Sequence, residues 1–84
     1  MYTNIPALSG KQLIRLLQKD GWIVGRKTTH GITLTKFIID RTRVTFIPNK
    51  SSSLPDGTLS AILGTKQTGI GKAGLLELLS KYGL

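Results

Sequence analysis

The stretch SGKQLIRLLQKDGWIV, residues 9–24, decides the fold because a helical pattern ends within it and a strand begins. Ser9 and Gln12 have the spacing of a capping box, and the leucines that follow recur at helical intervals. Asp20-Gly21 then ends the pattern with a glycine suited to a left-handed helix cap. The next three residues, Trp-Ile-Val, are aromatic or β-branched, as is typical of a strand. The stretch therefore predicts a helix over about residues 10–20, followed directly by a strand.

Two further apolar runs lie downstream, one beginning at Ile32 and one at Val44. In the first run isoleucine and leucine alternate with threonines, and the second run ends before Pro48, which limits extension of a strand. The connecting segments, residues 25–29 and 40–42, have lengths that suit hairpins. The three strands are therefore predicted to form an antiparallel meander.

The rest of the chain predicts a loop and two more helices. Serines and prolines make residues 48–57 a loop. Asp56 or Thr58 is expected to cap a second helix, which the apolar residues that follow continue. Residues 64–74 carry four glycines and are predicted to be flexible or to contain turns. The leucines of residues 75–82 then predict a third helix that packs in the core.

The predicted order is α-β-β-β-α-α, an α+β fold of two layers with helices on one face of a three-stranded sheet. A chain of 84 residues has a single core, so residues 1–84 are expected to form one domain. Its core is expected over about residues 9–64, with a helical extension over about residues 70–84. The side chains expected in the core are Leu13, Leu17, Trp22, Phe46, Leu59 and Ile62.

The chain has no cysteine, one histidine and four acidic residues. A disulfide framework and a thiolate zinc site are excluded, and a site of three or four ligands would use nearly every candidate in the chain. We therefore expect no metal and no cofactor. No segment resembles a targeting sequence or approaches the ~18 apolar residues of a membrane span, so we expect a cytoplasmic protein with no membrane contact.

Positive charge is concentrated in residues 1–50, which hold nine basic and two acidic residues for a net charge of +7. Residues 51–84 hold three basic and two acidic residues, a net charge of +1, which brings the whole chain to +8. Such a field attracts a polyanion, most commonly a nucleic-acid backbone. An acidic protein would satisfy the same field, and a soluble basic domain without either partner is a third interpretation.

Three basic residues of the first predicted helix, Lys11, Arg15 and Lys19, recur four positions apart and line one face. This face is either an ordinary solvated surface or a set of phosphate contacts. A second motif, KQTGIGKA at residues 66–73, has a superficial similarity to a phosphate-binding loop. Lys66 occupies the place of the first glycine and Ala73 the place of the hydroxyl, so we interpret this segment as a connector.

His30 is the single histidine, and it lies among the basic residues Arg26, Lys27 and Lys36. A lone histidine is more often structural or merely exposed than catalytic. RNA, however, carries its own nucleophile, the 2′-hydroxyl. Cleavage needs a base with a pKa near neutrality, a proton donor and cations, but no metal. If the chain is a nuclease, its substrate is therefore RNA, and the proton donor is Lys27, Lys36 or water.

Three segments of the chain form a further pattern. The first is Lys11-x-x-Ile14-x-x-Leu17-x-x-Asp20-Gly21-Trp22-x-x-x-Arg26-x-x-x-His30. The others are Val44-Thr45-Phe46-Ile47-Pro48 and Pro55-Asp56-Gly57-Thr58-Leu59-x-x-Ile62-Leu63. In this order they resemble the HicA-type (YcfA-like) toxins, which are small RNases of bacterial toxin–antitoxin systems. Two departures stand out: Thr28-Thr29 replaces the usual Gly-Ser before the histidine, and Asn49-Lys50 follows the proline where many relatives carry a second histidine.

The resemblance implies a fold like that of double-stranded-RNA-binding domains and a metal-independent endoribonuclease that cleaves messenger RNA. It implies that His30 is catalytic and that a HicB-type antitoxin covers it. From the charge of +8 we expect this antitoxin to be acidic, with the apolar residues Ile38 and Ile39 as a suggested hydrophobic contact. Two other interpretations stay open. The second interpretation is a non-catalytic module of the same fold that binds single-stranded or messenger RNA. The third is an interaction protein with an acidic partner.

Overall fold

The computed structural model describes residues 5–83. Its elements confirm the predicted α-β-β-β-α-α order and the α+β class. They are α1 (Gly10–Lys19), β1 (Ile23–Lys27), β2 (Ile32–Ile38), β3 (Arg41–Ile47), α2 (Asp56–Leu63) and α3 (Gly71–Tyr82). The strands form one antiparallel sheet in the order β1-β2-β3, with the helices on one face.

Helix α1 begins with the predicted capping box. Ser9 Oγ accepts a hydrogen bond from the Gln12 amide at 3.1 Å, and Gln12 Oε1 accepts one from the Ser9 amide at 3.0 Å. The helix ends at Lys19, and Gly21 then adopts a φ of 97°, in the region that favours glycine. Two of the free amides at the helix start are thus satisfied by side chains of the same helical turn.

The two hairpins of the sheet differ in their connections. β1 contains a bulge between Val24 and Lys27, where two residues lie opposite one residue of β2. β2 and β3 pair without interruption up to Ile38 opposite Arg41, so the turn consists of Ile39 and Asp40 alone. The prediction that Arg41 and Thr42 belong to the connection was therefore wrong. The tight turn is made possible by Ile39, whose φ of 60° is uncommon for a β-branched residue.

One cluster of buried side chains joins the sheet to all three helices. Its members are Leu8, Leu13, Ile14, Leu16, Leu17, Trp22, Ile32, Leu34, Ile47, Ile62, Leu63, Leu75, Leu78 and Leu79. Four of the six predicted core residues are in it, and Leu59 packs partly buried against it. The prediction for Phe46 was wrong, since 42% of this residue is exposed. Side chains alternate along β3, and the inward positions are those of Thr45 and Ile47.

Helix α2 begins without a side-chain cap. The N-cap residue is Pro55, and no side chain bonds the first turn. The prediction that Asp56 or Thr58 caps this helix was wrong. Pro55 has the extended backbone of an N-cap residue, with φ −60° and ψ 150°, and the helix begins at Asp56. Asp56 thus lies within the first turn, where its negative charge interacts favourably with the helix dipole.

The connection between α2 and α3 is a set of turns fixed to β3. Gln67 Oε1 accepts hydrogen bonds from Thr45 Oγ1 at 2.6 Å and from the Phe46 amide at 3.3 Å. Buried Thr68 donates to the Ile62 carbonyl at 2.7 Å. Helix α3 then contacts both α1 and α2, and three of its leucines are in the core. The residues that follow α2 are therefore part of the same packed unit.

Gly10, the first residue of α1, packs directly on the carbonyl oxygen of Pro48, and a Cβ atom at this position would collide with it. We predict that Gly10→Ala lowers the free energy of unfolding by roughly 1–3 kcal/mol or more, because backbone cannot give way as a flexible side chain can. Gly57, in the first turn of α2, has open space for 4 Å around the position that a Cβ atom would take. Gly57→Ala is the matched control and should raise stability by up to about 1 kcal/mol. Urea unfolding of both variants tests the pair, and equal stabilities would contradict the close packing.

Candidate active site

His30 lies on an exposed turn between β1 and β2, formed by residues 28–31 and called here the His30 turn. The Thr28 amide donates to the Gly31 carbonyl at 2.8 Å. Thr28 Oγ1 accepts from the amides of His30 and Gly31, each at 3.2 Å. One threonine hydroxyl thus fixes the backbone that carries the imidazole. The imidazole itself is exposed and makes no hydrogen bond to the described residues, so it is free to contact a ligand.

The His30 turn is packed against the end of β3 through Gly31. A Cβ atom at Gly31 would lie 2.5 Å from the Ile47 carbonyl oxygen and 2.7 Å from Cζ of Phe46. Gly31 is correspondingly buried, whereas its neighbour His30 is exposed. The position of His30 relative to the sheet is therefore set by a backbone contact that only glycine allows.

Arg26 and Lys27 are brought to the same end of the sheet as His30. Both side chains are exposed at the end of β1, immediately before the His30 turn. Arg26 lies in the bulge, where the extra residue changes the direction of neighbouring side chains. Two cations and an imidazole thus share one exposed end of the sheet, a combination that suits an anionic ligand.

Lys36 is not brought to this end. It lies four residues along β2 from Ile32, about 13 Å at the rise of a strand, and its side chain is on the helix side of the sheet. Lys36 Nζ donates to the Asp20 carbonyl at 2.7 Å and forms an ion pair with the Asp20 carboxylate at 3.1 Å. A cation at a helix C-terminus is stabilising, so Lys36 has a structural role at the end of α1.

The basic residues of α1 are exposed as predicted and extend away from His30. Lys11 is in the first turn and Lys19 in the last, about 12 Å apart along the axis, with Arg15 between them. The Lys11 amide donates to the Lys50 carbonyl at 3.1 Å. Lys11 is therefore at the His30 end of the molecule, and Lys19 is near Lys36.

Lys50 is a cation that the sequence pattern did not place in the site. It follows β3 by three residues, it is exposed, and its backbone bonds that of Lys11. The adjacent residues Ile47 and Pro48 contact Gly31 and Gly10, which links Lys50 to the His30 turn through the backbone. A signal was present in the sequence, since Lys50 is one of the nine basic residues of residues 1–50 and follows closely after the third predicted strand.

A cleft in the described part of the chain lies away from these residues. It has a volume of about 760 Å³ and is bounded by residues 5–8, the segment before α2, α2 itself and the start of α3. None of the candidate residues lines it.

Residues 5–83 contain no group of three or more His, Cys, Asp or Glu side chains placed to hold a metal ion. Within the same range, no helix has the length and apolar character needed to cross a bilayer.

These features define a small, basic α+β domain that presents one histidine on a fixed turn beside several cations. The family model described as HicA toxin of bacterial toxin–antitoxin systems matches residues 10–70, from the start of α1 to the end of the α2–α3 connection. The chain therefore belongs to the HicA toxin family. It is a toxin of a toxin–antitoxin system, and its partner is an antitoxin. No curated protein and no solved structure matches the chain significantly.

Removal of the Thr28 hydroxyl should loosen the His30 turn. We predict that Thr28→Val, which keeps the shape of the side chain, accelerates exchange of the His30 and Gly31 amide protons with water. Loss of these bonds should lower the free energy of unfolding by about 0.5–1.5 kcal/mol. Thr29→Val is the control, because Thr29 is exposed and its side chain makes no hydrogen bond to the described residues. Exchange-rate measurements by NMR would contradict the role of Thr28 if both variants matched the parent protein.

Proposed function

We propose that the chain is a metal-independent endoribonuclease that cleaves messenger RNA, with His30 as the catalytic residue. The observation that carries the proposal is the exposure of one imidazole on a hydrogen-bonded turn, at an end of the sheet where cations gather. Membership of the HicA toxin family supports it, because a toxin needs a damaging activity and RNA is the substrate on which these residues can act.

The proposed reaction starts from the 2′-hydroxyl of the nucleotide that precedes the scissile phosphate. His30 takes its proton as the oxygen attacks phosphorus, and Arg26 and Lys27 stabilise the additional negative charge that develops on the phosphoryl oxygens. The bond to the 5′-oxygen breaks, that oxygen receives a proton, and a 2′,3′-cyclic phosphate remains. No water or metal ion has to be activated for this step.

The positions of the lysines narrow the choice of proton donor. Lys36 was one of three candidates, but its ammonium group is bonded to Asp20 on the helix side of the sheet. Lys27 is exposed beside the His30 turn. The geometry therefore favours Lys27 or a water molecule as the donor to the leaving oxygen.

The antitoxin is proposed to be an acidic HicB-type protein that covers His30. The charge of +8 favours an acidic partner, which would be steered to the basic surface and would occupy the place of the RNA phosphates. Ile39, suggested as an apolar contact, is 89% exposed but lies at the β2–β3 turn, at the opposite end of β2 from His30. Its neighbour Ile38 packs partly buried against the core. A partner that covers His30 therefore reaches Ile39 only if it spans the length of the sheet.

The catalytic assignment predicts that His30→Ala reduces RNA cleavage by at least about 10²-fold, the usual contribution of a positioned general base. The melting temperature should not change, because the imidazole is exposed and makes no hydrogen bond to the described residues. Mass analysis of wild-type products should detect 2′,3′-cyclic phosphate ends, and EDTA should not inhibit. Products with 5′-phosphate ends would contradict the mechanism. RNA binding by the wild-type protein without cleavage would instead support the non-catalytic binding module.

The salt dependence of RNA affinity tests the position of the phosphate contacts. Each phosphate neutralised on a single strand contributes a slope of roughly −0.7 to log K against log salt. We predict that the double variant Arg26→Ala, Lys27→Ala has a shallower slope than the parent protein. Lys36→Ala is the matched control. It should keep the parent slope and lower stability by about 0.3–1 kcal/mol, because it loses the contact with the end of α1.

The opposite pattern would contradict this placement. If Lys36→Ala flattened the slope and the double variant did not, the RNA would lie across the far end of the sheet. An unchanged slope in both variants would place the phosphates along α1, on Lys11, Arg15 and Lys19.

A further inference from the structure

The sheet has an outer face, turned away from the helices, that carries no charged residue along the paired positions of β2 and β3. Its cross-strand neighbours include Ile23, Thr35 and Val44 in one row and Thr33 with Phe46 in another. Its large apolar side chains are exposed to the following extents: Ile23 68%, Phe37 68%, Val44 48% and Phe46 42%. An exposed apolar surface of this kind commonly marks a binding site.

Phe46 is the member of this face that adjoins the His30 turn. The ring lies against the backbone of Gly31, the residue that follows His30, so closely that a methyl group on Gly31 would meet its Cζ and Cε2 atoms at 2.7 and 2.9 Å. Its backbone is fixed by pairing with Thr33 and by the bond from its amide to Gln67 Oε1. Phe46 therefore presents a ring in a defined position directly beside the His30 turn.

Phe37 provides a natural comparison on the same face. It is opposite Thr42, next to the β2–β3 turn, and thus at the end of the sheet remote from His30. Both residues are phenylalanines on one face of one sheet, but Phe37 is more exposed and is remote from His30, whereas Phe46 packs against Gly31. A role tied to the reaction should depend on Phe46 and not on Phe37.

We propose that Phe46 is a base-stacking residue, whose ring holds the nucleobase of the nucleotide that supplies the attacking 2′-hydroxyl. The proposal rests on the proposed endoribonuclease function and deepens it. Antiparallel sheets recognise single-stranded RNA by stacking bases on exposed aromatic rings, and such stacking tolerates different bases. Thr33 is the cross-strand partner of Phe46 and is on the same face of the sheet, and its hydroxyl can donate to or accept from the edge of a base.

Stacking on Phe46 would hold the nucleotide in place, which the exposed imidazole of His30 cannot do alone. An unrestrained nucleotide seldom aligns its 2′-hydroxyl with the leaving oxygen, and a site gains rate by holding it in that alignment. Arg26 lies in the bulge opposite Thr33, the partner of Phe46, so a base on Phe46 places the following phosphate beside Arg26 and the ribose next to the His30 turn. The cations attract the phosphates of any sequence, so Phe46 becomes the contact that selects an unpaired base.

The test uses a short single-stranded RNA in which one base is replaced by 2-aminopurine, whose fluorescence is quenched by stacking. Binding is measured in the His30→Ala background, so that the RNA stays intact. Quenching should be greatest when the analogue lies immediately 5′ of the phosphate that the wild-type protein cleaves. Phe46→Leu, which keeps apolar bulk but removes the ring, should abolish the quenching and weaken binding by roughly 5- to 50-fold.

Two further variants separate stacking from general packing. Phe46→Tyr keeps the ring and should retain the quenching, which also keeps the test decisive if the leucine variant is unstable. Phe37→Leu removes the ring at the far end of the face. It should leave quenching unchanged in the His30→Ala background and single-turnover cleavage unchanged when His30 is present. Melting temperatures of all variants accompany the binding data.

The outcomes distinguish this proposal from the proposed function. If the wild-type protein cleaves RNA and Phe46→Leu binds and cleaves as well as the parent, stacking is wrong and the nuclease stands. If the wild-type protein does not cleave but quenching depends on the Phe46 ring, the nuclease is wrong and the stacking site stands. If Phe46→Leu leaves RNA binding intact but prevents capture by the antitoxin or self-association, the face is a protein-docking surface and the proposal is overturned.

Discussion

Two consecutive carbonyl groups at the end of β3, those of Ile47 and Pro48, each have a glycine packed against them. Gly31 approaches the first from the His30 turn, and Gly10 approaches the second from the start of α1. The Cβ atom of any larger residue at either position would collide with a backbone carbonyl oxygen, which cannot yield as a flexible side chain can. The direction of α1, the position of the His30 turn and the path of the chain toward Lys50 are therefore set at one place. Fold and candidate site depend on the same close contact.

The parts of the fold that could be predicted are those specified by neighbouring residues. Ser9 and Gln12 form a capping box within one helical turn, and Asp20-Gly21 ends the same helix, so α1 could be predicted nearly to the residue. The side of β3 that faces the core could not be predicted. Every residue from Val44 to Ile47 is apolar or threonine, so the sequence pattern fits burial of either side of the strand. Thr45 is buried with its hydroxyl donating a hydrogen bond to Oε1 of Gln67, 22 residues away, and Phe46, the next residue along the strand, therefore faces outward.

In the candidate site, too, the residues placed by local sequence could be predicted and those placed by long-range contacts could not. His30, Arg26 and Lys27 are close in sequence, so their proximity in the structure needed little more than a hairpin. Lys36 is nearly as close in sequence to His30, but its partner Asp20 is 16 residues distant and lies at the end of α1. Lys50 joins the site because β3 returns to the His30 turn and the chain then bonds the start of α1. A charge can be counted from the sequence, but its place in a site depends on which tertiary partner occupies it.

The bond from the Phe46 amide to Gln67 bears on how the sheet behaves toward other sheets. An exposed edge strand with unpaired amides invites another strand to join it, and an apolar outer face would increase that tendency. Along β3, Gln67 occupies an outward amide and brings the α2–α3 connection against the edge. Along β1, the bulge and the two cations Arg26 and Lys27 interrupt the edge and repel a second copy of the same strand. The sheet can therefore leave an apolar face open for a ligand while both of its edges discourage growth into a larger sheet.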